Sequence, residues 1–67
     1  MIMIIVNGKE IVWVNGERVE ETLIRADAYH SIMVVNLRGK WLRKNEWSEV
    51  KVIDGDEIRT VDIIAGG

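Results

Sequence analysis

The 67-residue chain is 48% hydrophobic with a net charge of −2, which fits one small folded domain and not a disordered segment. It has no cysteine and a single histidine, His30, excluding a disulfide scaffold, a thiolate metal site, thiol catalysis and any centre that needs two histidines. Nine basic against eleven acidic residues give no overall pull toward nucleic acid or anionic membrane.

The longest apolar run, Met1–Val6, is too short to span a bilayer and has no basic segment before it, so a soluble, cytoplasmic protein is expected. That run is β-branched and apolar on both alternating faces, the pattern of a strand in the middle of a sheet. Asn7-Gly8 predicts a type I′ turn, which needs positive φ at both central residues. A second strand over Lys9–Val14 then places Ile11 and Trp13 on one face and Val12 and Val14 on the other.

After Asn15-Gly16 the period changes. Val19, Leu23 and Ala26, widened by Ile24, predict one helix from about Glu17 to Asp27. Glu17, Glu20 and Glu21 at its start and Arg25 near its end suit the helix dipole, and Glu21 and Arg25 stand at i, i+4. Ile32–Leu37 reads as a third strand, and Arg38-Gly39 turns into a short basic fourth, Lys40–Arg43. Lys44–Trp47 reads as an irregular or 3₁₀ turn whose indole covers an end of the core. Val50–Ile53 is expected to pair briefly, and Asp54-Gly55 leads into a last strand over Glu57–Ile64.

The recurrence of Val-Asn-Gly at Val6-Asn7-Gly8 and Val14-Asn15-Gly16 marks turns at the two ends of one strand. A repeat array would need units of about 20 residues or more in about three copies.

The most informative stretch is Ile63-Ile64-Ala65-Gly66-Gly67, a strand running into a tail whose side chains vanish. A terminal carboxylate is a poor electrophile until it becomes a mixed anhydride such as an acyl-adenylate. Glycine lets a tail thread toward a nucleotide without a Cβ to clash and leaves the carbonyl open to attack. The Gly67 carboxylate, presented by Ala65 and Gly66, thus suits a substrate handed to another enzyme.

Val35-Asn36, Asn45-Glu46-Trp47, Asp54-Gly55-Asp56-Glu57-Ile58 and the terminal Gly66-Gly67 together resemble the ThiS-type sulfur carriers, small β-grasp (ubiquitin-like) proteins of the ThiS/MoaD group. The resemblance covers the chain in outline and is sharpest from Asn45 onward. It implies an α+β fold, a mixed sheet with one helix on one face, as a single domain over residues 1–67 ending in a flexible Gly-Gly tail. It also implies a carrier and not an enzyme. An activating enzyme of the ubiquitin-activating type, using ATP and magnesium, would adenylate Gly67. A cysteine desulfurase or rhodanese-like donor would supply sulfur to form a thiocarboxylate. An acceptor, thiazole synthase in thiamine synthesis, would take that sulfur. No bound cofactor, metal or catalytic side chain is implied.

The chain departs from the family where Leu37 follows Asn36 in place of glycine, where Arg43 replaces a usual proline, and in the basic run Arg38, Lys40, Arg43, Lys44. These positions leave the tail chemistry intact and open the choice of acceptor: tRNA thiolation, molybdopterin and cysteine synthesis use related carriers, the molybdopterin ones usually longer. Two other readings stand beside this one. One is a ubiquitin-like or small β-barrel interaction module without tail chemistry, and the other is conjugation through an isopeptide bond.

Asp54, Asp56, Glu57 and Asp62 lack the calcium-loop pattern and read as a solvated turn; Asp56, Glu57 and Asp62 are candidates for docking a basic patch of the activating enzyme. The basic run and the tryptophans read as a solvated hairpin and as core-edge residues in preference to a nucleic-acid surface, and His30 as an exposed loop residue. Val19, Leu23, Ala26 and Ile58 are expected in the core beneath the helix. The opposite sheet face is expected to leave apolar area exposed for a partner.

Overall fold

The computed structural model describes residues 2–30 and 33–63. Its elements in chain order are β1 (Met3–Val6), β2 (Lys9–Val12), α1 (Val19–Arg25), β3 (Met33–Leu37), β4 (Lys40–Leu42), α2 (Lys44–Trp47) and β5 (Glu57–Asp62). The expected ends of the first strand at Met1, of the third at Ile32 and of the last at Ile64 lie outside the described residues.

The five strands form one mixed sheet in the order β2-β1-β5-β3-β4. β1 and β5 are parallel neighbours in register Ile5↔Glu57 and Val6↔Ile58, and every other pairing is antiparallel. Two hairpins therefore flank a central strand drawn from the far end of the chain. This is the β-grasp arrangement, and the central place of β1 accounts for its apolar residues on both faces.

Alternation along the strands sorts the side chains. Ile4, Val6, Met33, Val35, Leu37, Leu42 and Ile58 point to the helix side and are buried with Val19, Leu23, Trp47 and Val52. Ala26 packs against this cluster, so the four core positions expected beneath the helix are all found there. Each fully buried aliphatic side chain contributes about 1.5–3 kcal/mol relative to exposure.

α1 is shorter than the sequence pattern suggests because its flanks have other partners. Glu17 and Arg18 are extended: Val52 N–H donates to the Glu17 carbonyl at 3.0 Å, Val19 N–H to the Val50 carbonyl at 2.9 Å, and Arg18 bridges Lys51. That bridge is the brief pairing expected of Val50–Ile53. At the other end Asp27 adopts φ 58°. Ala28 N–H reaches the Leu23 carbonyl at 2.8 Å and Asp27 N–H that of Ile24 at 3.1 Å, a Schellman closure with aspartate in glycine's usual place.

Two expectations need correction. The Glu21–Arg25 pair does not form: Glu21 turns back to accept the Arg18 backbone N–H at 3.0 Å, while Arg25 bonds Glu17. Lys44–Trp47 is an α-helical turn, not an irregular or 3₁₀ one. It opens as α1 does, with a glutamate at the third helical position, Glu46, accepting the backbone N–H of the preceding arginine, Arg43, at 2.8 Å.

Candidate functional site

The residues expected to carry the chemistry, Ala65, Gly66 and Gly67, lie outside the described residues. What the structure describes is the strand leading to them and the surfaces beside it. β5 is gripped at both ends. At its start Gly55, with φ 87°, turns the chain, and its N–H donates to the Met3 carbonyl at 2.9 Å. Beyond the last parallel pair, Val6↔Ile58, the Asn7 side chain prolongs the ladder. Its Oδ1 accepts the Thr60 N–H at 2.8 Å and its Nδ2 donates to Thr60 Oγ1 at 2.9 Å.

The three acids proposed for docking do not form one patch. Asp56 is buried, 4% exposed, and both carboxylate oxygens are engaged within the fold. Arg38 Nε donates to Oδ1 at 2.7 Å, while Arg38 Nη2 and the Ile53 N–H donate to Oδ2 at 3.1 and 2.7 Å. Arg38 also reaches the Lys51 carbonyl at 3.2 Å, so the β3–β4 turn is tied to the start of β5. The second aspartate of the Asp-Gly-Asp motif is thus structural. Glu57 and Asp62 are exposed, but five positions apart on one strand they face opposite ways. Glu57 lies on the open face beside Arg59 at 3.2 Å, and Asp62 lines a groove with Lys9, Asp27 and His30 on the helix side.

The open sheet face is a further candidate surface. Register places Val61 beside Val34, and Asn36 between Arg59 and Trp41. Trp41 is 58% exposed and Val61 50%, matching the expectation of apolar area left uncovered on this side. A groove of about 430 Å³ runs between Asn36, Trp41, Glu57, Arg59 and Val61. It combines an apolar wall with one exposed ion pair.

A second ionic cluster lies where β2 meets α1. Glu17 accepts the Thr22 hydroxyl at 2.6 Å and Arg25 Nε and Nη2 at 3.0 and 2.9 Å, and Arg25 also reaches the Val12 carbonyl. The Arg25 hydrogen bonds hold the Glu17 carboxyl below its ordinary value, against the opposing effect of burial. This cluster fastens the helix to the hairpin. Among the described residues no group of three or more acids or histidines could hold a metal ion, and no helix is long and apolar enough to cross a membrane.

No protein-family model matches the sequence, and no curated protein matches it. Among solved structures, the thiamine biosynthesis protein ThiS from Geobacter metallireducens aligns with a TM-score of 0.74 and 28% identity, covering 97% of this chain and 99% of that one. The chain is ThiS-like. The likeness to ThiS extends across both hairpins, the helix and the central strand, well beyond the C-terminal motifs that first suggested it. Sequence reasoning missed one contributor, Arg38. It reads as one more charge in a basic hairpin, and only the turn geometry, with φ 53° at Arg38, brings it onto Asp56.

Proposed function

We propose that the chain is a sulfur carrier acting through the C-terminal carboxylate of Gly67. The observation that carries this reading is the likeness to ThiS over nearly the whole length of both chains. A carboxylate oxygen of Gly67 attacks the α-phosphorus of ATP on a partner enzyme, and pyrophosphate leaves. The outer sulfur of a persulfide donor then displaces AMP at the carbonyl carbon to give an acyl disulfide. A cysteine thiol of the partner machinery attacks the donor-side sulfur, releasing the thiocarboxylate and leaving a disulfide between that thiol and the donor. The nucleotide and its magnesium belong to the activating enzyme, and this chain supplies the reacting atom and no catalytic side chain.

The acceptor in this reading is the thiazole synthase of thiamine synthesis. The basic hairpin residues Lys40, Arg43 and Lys44 keep tRNA thiolation and molybdopterin synthesis as rival destinations. The open face around Trp41 and Val61 supplies the docking area, with Glu57 at its margin and Asp62 nearer the tail. Asp56 supports the strand from within.

The test is the intact mass of untagged protein from its own host, beside a version lacking Gly67. A species heavier by one oxygen-to-sulfur exchange, absent from the deletion, is the expected result. Where only the carboxylate is found, ATP, a cognate activating enzyme and a sulfur donor are added. Failure of that reconstitution would refute the carrier reading and favour an interaction module.

A further inference from the structure

We propose that Asn15 is a site of spontaneous amide loss, and that Asn7, in the same Val-Asn-Gly tripeptide, is protected by the fold. In an Asn-Gly pair the glycine backbone nitrogen can attack the asparagine side-chain carbonyl carbon, since no Cβ hinders its approach. The new N–Cγ bond closes a succinimide as the Cγ–Nδ2 bond breaks and ammonia leaves. Water then opens the ring at either carbonyl, giving aspartate or isoaspartate. Water is the sole co-reactant.

The chain contains its own control. Val6-Asn7-Gly8 and Val14-Asn15-Gly16 match in the residues that set intrinsic reactivity, so a difference between them reports their surroundings. Asn7 sits in the β1–β2 turn at φ 52°, with Oδ1 and Nδ2 both bonded to Thr60. Bringing its Cγ onto the Gly8 nitrogen requires both bonds to break, and both hold the central strand. Asn15 is exposed in the turn closed by Glu17 N–H on the Val14 carbonyl at 3.1 Å, with Gly16 at φ 85°. Among the described residues no hydrogen bond restrains its side chain. Conversion there adds a negative charge two residues from Glu17, and isoaspartate lengthens the backbone of the β2–α1 turn.

The experiment incubates the full chain at mildly alkaline pH and quantifies conversion at each asparagine by peptide mass spectrometry, native and in urea. In the native chain Asn15 is expected to convert roughly 30-fold faster than Asn7, the ratio set by breaking two hydrogen bonds. In urea the two rates should approach parity. Thr60→Val, which removes the acceptor for Asn7 Nδ2, should raise conversion at position 7 by roughly fivefold and leave position 15 unchanged. Equal native rates, or no conversion at Asn15 in the time the denatured chain needs, would overturn the proposal. So would a rate ratio that persists in urea, since it would assign the difference to the flanking Lys9 and Glu17.

Discussion

Arg38 and Asp56, eighteen positions apart, share two hydrogen bonds of 2.7 and 3.1 Å, and the carboxylate at the centre of that contact is the buried one. Asp56→Ala deletes the acceptor for both Arg38 and the Ile53 N–H, and is expected to cost about 2–3 kcal/mol of stability. Asp54→Ala, in the same turn, removes one exposed 3.2 Å bond to the Met3 N–H and should cost about 0.5 kcal/mol. Urea unfolding of the two variants measures the contrast, and equal losses would contradict the structural role given to Asp56.

Leu23 and Ile24 are adjacent in α1, at 0% and 60% exposure. Leu23→Ala should destabilise by about 3 kcal/mol through the cavity it leaves, while Ile24→Ala should change stability by about 0.5 kcal/mol or less. Thermal or urea melts decide this, and a large loss from Ile24→Ala would mean that the outer helix surface is covered.

Glu17 makes stability depend on pH in one direction. Its folded pKa lies below the ordinary value of 4.5, so the folded state favours the ionised carboxylate that Arg25 and Thr22 bind. The unfolded chain takes up its proton first on acidification. The stabilisation is therefore complete above the ordinary carboxylate range and is lost as pH falls through and below it. Wild type should exceed Glu17→Gln in urea midpoint at pH 7, with the gap closing toward pH 3. A constant gap across that range would show that the Glu17 charge contributes nothing.

If the open sheet face docks the activating enzyme, Trp41→Ala should raise the KM of that enzyme for this chain by about tenfold, as expected for an aromatic anchor. Unfolding midpoints should stay near wild type, because the indole is 58% exposed. Steady-state pyrophosphate release measures it. An unchanged KM would move the docking surface elsewhere.

Much of the sheet was legible because its signals are local: β-branched runs at Met3–Val6 and Met33–Leu37, and turns at Asn7-Gly8 and Arg38-Gly39. The helix limits were less so. Glu17 and Arg18 continue the helical pattern, yet Lys51 and Val52 draw them into extended pairing, a contact that no residue near them announces. The same holds for charge partners, since helical spacing favoured Glu21 for Arg25 and tertiary packing chose Glu17. At the candidate site, the type of residue was readable and its neighbourhood only in part. That Glu57 and Asp62 face apart follows from the two-residue period of any strand. That Asp56 turns inward depends on an arginine in a distant turn.

The central place of β5 bears on how the chain is made. Of the described elements it leaves the ribosome last, and it is the only one that joins the β1–β2 hairpin to the β3–β4 hairpin. Until it emerges, the two hairpins have facing edges and no strand between them, and an isolated hairpin is at best marginally stable in water. A product cut short before β5 would lack both the tail and the strand that completes the sheet. Premature termination would thus yield an unfolded chain open to proteolysis, not a folded decoy able to occupy a partner without delivering anything.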